Sequence, residues 1–214
     1  MLNQFRPEIH YQAEQFARIK AYMATTGNYA QIALAGWKGD PTVPDNDFVI
    51  AAYQASQATG GAINTESWSS IFGNSQVQNI RDPLVRSRLI RVLSLDASLT
   101  DYRQVQTKYR ENVRAVIPND VQDAIRARCN DVFPADGISV AYLPPKCGVI
   151  LPPDRAAASA AALRAHPELV GDLNWHRAAV AAMLSNFGGY VRTLQALGDA
   201  IDRSHEMSDA VARP

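Results

Sequence analysis

The sequence is poor in the residues that most often carry chemistry. Only two of its 214 residues are cysteine and four are histidine. These six residues are too scattered along the chain to suggest a zinc site. The usual motifs are also missing: there is no nucleophile elbow, no zinc-protease helix, no Cys-x-x-Cys pair, no dinucleotide-binding glycine pattern and no calcium loop. We therefore expect no catalytic residue, no bound metal and no cofactor.

The chain also lacks an excess of charge and a long apolar run. Lys plus Arg and Asp plus Glu are 21 each, so no net field attracts nucleic acid or an anionic membrane. No stretch reaches the roughly 18 apolar residues of a membrane helix, and residues 1–29 lack the apolar core of a secretory signal. With 47% apolar residues we expect one folded domain over residues 1–204 and a polar tail over 205–214. Nucleic acid is not an expected partner.

Apolar residues spaced alternately three and four apart predict three long helices. One covers Glu8 to Ala35, a second starts at Asp82-Pro83 and continues to Val116, and the last covers Pro167 to Arg203. Asp82 and Pro83 suit the N-cap and first turn of the second. Within the first, Gly27-Asn28 is a candidate kink or end. The sequence therefore predicts an all-α, elongated up-and-down bundle.

Short accessory helices are expected between the long ones. The first begins near Asp45–Asp47 and ends at Gly60-Gly61, and the next covers residues 64–72. Two more are predicted over Asn119 to Arg128 and Asp154 to Ala165. The glycines and prolines of residues 36–44 predict a loop, which lacks the Gly-Lys-Ser/Thr order of a phosphate-binding loop.

Residues 130–153 differ from the rest and are called the hook. They contain five prolines and two glycines, which predict an irregular segment with one short strand over Ile138 to Tyr142. Cys129 and Cys147 bracket most of it. A disulfide between them would close a loop of 18 positions and add about 3 kcal/mol of stability on the chain-entropy model. The alternative is two reduced, buried thiols, as in a cytosolic protein.

Four polar residues on the predicted helices could line a site in the bundle interior: His176, Tyr102, Gln106 and Tyr109. His176 would then be a pH sensor or a general base, because its pKa lies near neutrality. The structural interpretation is a core histidine hydrogen-bonded to a neighbour. It is favoured because no adjacent residue orients His176 as a catalytic base requires.

A group of arginines marks the start of the second long helix, namely Arg81, Arg86, Arg88 and Arg91. Anion or nucleic-acid binding is one interpretation. A solvated helix face is the favoured one, because aromatic residues for base stacking are not interleaved with these arginines.

Three stretches carry a resemblance to a known group of proteins: Phe48 to Ala55, Trp68 to Phe72, and Asn79 to Arg86. They resemble uncharacterised proteobacterial helical proteins that are typically anchored by one N-terminal transmembrane helix. The segment from Cys129 to Cys147, followed by Leu151-Pro152-Pro153 and an alanine-rich helix, is similar as well. The resemblance implies a disulfide and an extracytoplasmic domain, and it offers no catalytic residues to transfer. The anchor is absent here, which suggests a truncated chain or a soluble member.

Together these features favour a non-catalytic extracytoplasmic interaction or sensory domain of unknown ligand. Its expected partner is an unknown protein or a second copy bound along exposed helix faces. The expected location is the periplasm or the extracytoplasmic face of a bacterial membrane, with the cytoplasm as the alternative. Contact with the membrane is expected only through an anchor that this sequence does not contain. The rival function is a small-molecule or enzymatic site inside the bundle.

Overall fold

Helices dominate the described part of the chain. The computed structural model describes residues 5–59, 77–94, 107–135 and 140–211. The all-α fold class is confirmed, since these residues form seven α-helices, one short 3-10 helix over Val77–Asn79 and no strand. The α-helices are α1 (Phe5–Trp37), α2 (Asp45–Gln54), α3 (Pro83–Leu93), α4 (Lys108–Val116), α5 (Asn119–Cys129), α6 (Pro153–Arg164) and α7 (Glu168–Val211).

The two longest helices, α1 and α7, pack against each other. They have 33 and 44 residues, or about 50 and 65 Å at roughly 1.5 Å per residue. The ring of Phe16 lies 5.0 Å from that of Phe187 and 5.1 Å from that of Tyr190. Arg6, at the start of α1, pairs with Asp202 near the end of α7. The two helices are therefore antiparallel.

Helix α1 runs without a break through Gly27, so the predicted end of the helix there is wrong. The predicted stripe is buried on both sides of this glycine, because α1 packs along α7 and α2 over its length. Helix α7 continues to Val211, into the segment assigned to a polar tail. Residues 212–214 lie outside the described residues.

Helix α2 occupies the centre of the fold. Every residue from Phe48 to Gln57 is buried, and the helix packs against α1, α4 and α6. It ends at Gln54, so the predicted end at Gly60-Gly61 is wrong. The chain turns there because the backbone N–H groups of Ser56 and Gln57 donate back to carbonyls three residues earlier, at 3.0 and 3.1 Å. The predicted helix over 64–72 lies outside the described residues.

The second long helix is not seen as one continuous element. Its start is confirmed, since a carboxylate oxygen of Asp82 accepts from the N–H groups of Leu84 and Val85 at 2.8 and 3.2 Å. Thr107, however, has extended backbone with φ −98° and ψ 166°, and α4 begins after it. Apolar spacing cannot separate one long helix from two that share a face. Residues 95–106 lie outside the described part, and the arrangement of three long helices is not confirmed.

The predicted loop forms after α1, although its first two residues, Gly36 and Trp37, still belong to the helix. Two glycines of this region are under different constraints. Gly39 has φ +74°, which favours glycine. Gly36 lies against Phe48 of α2, and a methyl group there would come within 2.9 Å of the Phe48 Cβ and closer still to its ring. Close approach of α1 to α2 therefore depends on Gly36.

Two Gly-to-Ala substitutions in α1 should have opposite effects on stability. Gly36→Ala should lower the free energy of unfolding by about 1–3 kcal/mol, because Phe48 is fully buried and cannot yield easily. Gly27→Ala, whose methyl group would meet nothing within 4 Å, should raise it by about 0.5–1 kcal/mol through helix propensity. Urea denaturation of both variants measures the difference. Equal effects of the two would show that the α1–α2 contact is not tight.

Candidate functional site

The hook starts where α5 ends, and Cys129 and Cys147 lie at disulfide distance across its base. Their Cα atoms are 5.4 Å apart, within the range that a disulfide spans. The predicted pairing is confirmed in its geometry. The carbonyl of Cys129 also accepts a hydrogen bond of 2.8 Å from the side-chain amide of Gln54, which is fully buried in α2. The base of the hook is thus tied to the centre of the fold.

Two tyrosines of α1 hold the hook by hydrogen bonds. The hydroxyl of Tyr22 donates to a carboxylate oxygen of Asp131 at 2.7 Å, and that of Tyr29 donates to the carbonyl of Pro144 at 2.8 Å. Burial raises the pKa of both phenols, and the bond to Asp131 raises that of Tyr22 further. Both hydroxyls therefore stay protonated donors at neutral pH.

Asn46 of α2 holds the last part of the hook. Its side-chain nitrogen donates to the carbonyl of Val149 at 3.2 Å, and its oxygen accepts from the N–H of Leu151 at 2.9 Å. Val132 and Tyr142 exchange two backbone hydrogen bonds, of 2.9 and 2.8 Å, as an isolated antiparallel bridge. A short strand was predicted here, and the described residues form this isolated bridge instead. Ile138 and Ser139 of the predicted strand lie outside the described part.

Four large apolar side chains of the hook are exposed, and these residues, Val132, Phe133, Tyr142 and Ile150, are called the hook face. Tyr142 and Ile150 are 44% and 91% exposed, although the residues on either side of each are buried. Extended backbone alternates its side chains between two faces, and the solvent-facing positions are usually polar. Phe133 is 66% exposed. The hook face holds half of the eight large apolar side chains exposed in the described part.

An open groove of about 390 Å³ runs beside the base of the hook. Of the residues predicted for an interior site, the two that the structure describes, Tyr109 and His176, do not line it. Its walls come from α1, α2, the loop between them and the hook, and are formed by Tyr29, Ile32, Thr42, Val43, Asp47, Ile50, Ala51, Pro145, Lys146 and Cys147.

Two of the four predicted interior residues come together. His176 is 2% exposed, its Nδ1 lies 2.9 Å from the hydroxyl of Thr107, and its ring centre lies 5.8 Å from that of Tyr109. The Tyr109 hydroxyl donates to the carbonyl of Ala52 at 2.8 Å, and burial raises its pKa. Tyr102 and Gln106 lie outside the described residues. The contact to Thr107 is the kind that the structural interpretation of His176 predicts.

The recess beside His176 is small. It has a volume of about 120 Å³ and mostly apolar walls from α1, α2 and α7. Pockets for drug-sized ligands have roughly 300 Å³ or more. The interior site therefore stays a prediction, and the recess as described would hold only a few atoms.

The arginines at the start of α3 face solvent to different degrees. Arg81 and Arg91 are exposed, while Arg86 and Arg88 are partly buried. Arg86 also donates to the carbonyl of Ile80 at 3.4 Å. This arrangement fits a solvated helix face.

The sequence analysis did not predict which residues form hydrogen bonds to the hook, nor which residue contacts His176. Tyr22 and Tyr29 are seven positions apart, which places both on one side of α1, and this spacing could have indicated a shared contact. No local pattern points to Asn46, Gln54 or Thr107, because their partners lie 69 or more positions away.

Within the ranges that the structure describes, no three His, Cys, Asp or Glu side chains are grouped to hold a metal ion. No helix in these ranges is both long and apolar enough to cross a membrane.

Comparison with protein-family models, with curated proteins and with solved structures gives no match for this chain. The resemblance to anchored proteobacterial helical proteins therefore stays a prediction.

Proposed function

We propose that the chain is a non-catalytic, extracytoplasmic interaction domain that binds another protein through the hook face. The observation that carries this proposal is the group of exposed apolar side chains on a backbone fixed at several points. Aromatic residues are enriched at protein interfaces. A surface that is already ordered loses less conformational entropy when a partner covers it.

Folding alone does not account for the apolar character of the hook face. The inner side of the hook already supplies the contacts with the core, since Val140, Ala141 and Leu143 are at most 3% exposed. Tyr142 lies between two of these buried residues and points outward, where Arg18 stacks on its ring with the guanidinium carbon 5.3 Å from the ring centre. A polar residue at position 150 would leave the core unchanged.

The compartment is inferred from the cysteine pair. Disulfides persist in oxidising compartments and are rare in the cytosol. A bridge at the base of the hook would limit the unfolded chain in a segment that helix packing does not order. The cytoplasmic alternative requires both cysteines to be reduced.

Protein isolated from its source should contain the bridge between Cys129 and Cys147. Its unreduced mass should be lower by two hydrogens, and neither cysteine should react with an alkylating agent after denaturation. Replacing both by alanine should lower the free energy of unfolding by about 3 kcal/mol. Mass spectrometry and urea denaturation measure these effects. Free alkylation of both cysteines in the unreduced protein would refute the extracytoplasmic assignment.

Replacing Phe133 and Ile150 together by serine should abolish partner binding with little change in stability, because both side chains are largely exposed. The matched control is Trp175→Ser, which removes a side chain of α7 that is 71% exposed and lies outside the hook. Light scattering over a concentration series detects association with a second copy. Photo-crosslinking from position 142 in an extract of the source cell envelope detects a different protein.

The proposal requires one of these complexes to form with the wild type and the control and to disappear with the double variant. A complex that survives the double variant would place binding elsewhere on the protein. Absence of both complexes for the wild type would contradict an interaction role for the hook face.

A further inference from the structure

Three arginines gather at the C-terminal end of the buried helix α2 and are called the arginine cluster: Arg110, Arg114 and Arg126. Arg110 Nη1 donates to the carbonyl of Ser56 at 2.9 Å and to the side-chain oxygen of Gln57 at 3.5 Å. Arg114 Nη2 donates to the same Gln57 oxygen at 2.9 Å. Two guanidinium groups therefore meet at one amide oxygen.

Tyr53 brings the third arginine to the same place. The guanidinium carbon of Arg114 lies 4.8 Å from the centre of the Tyr53 ring. Arg126 Nη1 donates to the Tyr53 hydroxyl at 3.3 Å. Arg114 and Arg126 thus contact the ring and the hydroxyl of one tyrosine.

The cluster has more positive than negative charge. Arg126 forms an ion pair with Asp123, and Asp131 accepts its hydrogen bond from Tyr22. In the part of the chain that the structure describes, Arg110 and Arg114 donate only to neutral acceptors. Burial and the charges of Arg110 and Arg126 lower the pKa of Arg114. Like charges at this spacing repel one another.

Capping of α2 explains part of this arrangement but not all of it. Positive groups stabilise a helix C-terminus, which carries a partial charge of about −0.5. Nη1 of Arg110 bonds the carbonyl of Ser56 just past the helix end, and Nε and Nη2 of Arg114 bond the side-chain oxygens of Ser56 and Gln57. Nε and Nη2 of Arg110 and Nη1 of Arg114 donate to no atom of the described residues. The positive charges of Arg110 and Arg114 together exceed the partial negative charge at the C-terminus of α2.

We infer that Arg110 and Arg114, assisted by Arg126, bind a small oxyanion, namely a carboxylate or phosphate group carried by a small molecule. The planar guanidinium group matches both anions with paired hydrogen bonds. The acceptors already present hold both side chains in place, so little side-chain entropy remains to be lost on binding. This site is independent of the hook face and does not rest on the function proposed for it.

Calorimetric titration of the full chain with inorganic phosphate, and separately with citrate, tests the inference at constant ionic strength. Wild-type protein should bind at least one of the two saturably. Arg110→Gln should weaken that binding about tenfold, because it removes a charge-assisted hydrogen-bonding group. The matched control is Arg91→Gln, which removes the same charge from an exposed position of α3 and should bind as the wild type does.

A second variant separates binding from folding, since Arg110 also donates to Ser56. Arg110→Lys keeps the charge and loses the planar fork, so it should keep the helical circular dichroism signal and still bind more weakly than the wild type. Binding of phosphate alone, of citrate alone or of both supports the site and identifies its ligand class. Heats no larger than those of sodium chloride would overturn the inference. An equal loss of affinity in Arg91→Gln would overturn it as well.

Discussion

The fold depends on hydrogen bonds to the backbone carbonyls at the C-terminal end of α2, because this end lies inside the protein. The last carbonyls of any helix lack partners within the helix, and leaving a buried one unpaired costs about 1–3 kcal/mol. Here the Tyr109 hydroxyl donates to the carbonyl of Ala52 in the last turn of α2, and Arg110 donates to that of Ser56, two residues past the helix end. Both donors belong to α4. The position of α4 against the centre of the fold follows from this requirement.

The same requirement places positive charge at a partly buried site. The guanidinium group of Arg114, a partly buried residue, contacts Tyr53, Ser56 and Gln57 at the end of α2. A cation at a helix C-terminus is stabilised by the helix dipole, which offsets part of its desolvation. The second cation, Arg110, gains from the same dipole but repels the first. An arrangement of this kind is most stable when an anion shares the site, because the repulsion then becomes attraction to a common partner.

Local patterns predicted most of the described helices, but they failed for some helix ends and for the contacts between elements. Four-three spacing identified α1 and α7, and Asp82-Pro83 located the start of α3, because these signals lie within one helix. The run Phe48 to Tyr53 has hardly a polar interruption, which is typical of a helix buried on all sides, yet it says nothing of what satisfies its end. The cysteine pair was predictable from its place around a proline-rich segment. The bonds from Asn46 and Thr107 were not, since they join residues distant in sequence.

The hook is stable for reasons that differ from those of the helices. Its backbone has few partners of its own, so side chains of α1 and α2 satisfy it from outside, through Tyr22, Tyr29, Asn46 and Gln54. Each of these bonds contributes only about 1 kcal/mol net, comparable to the cost of ordering one backbone residue. A disulfide between Cys129 and Cys147 would lower the conformational entropy of the unfolded chain and so reduce the total cost of ordering the hook. Rigidity gained in this way does not depend on Phe133 and Ile150, whose side chains are 66% and 91% exposed.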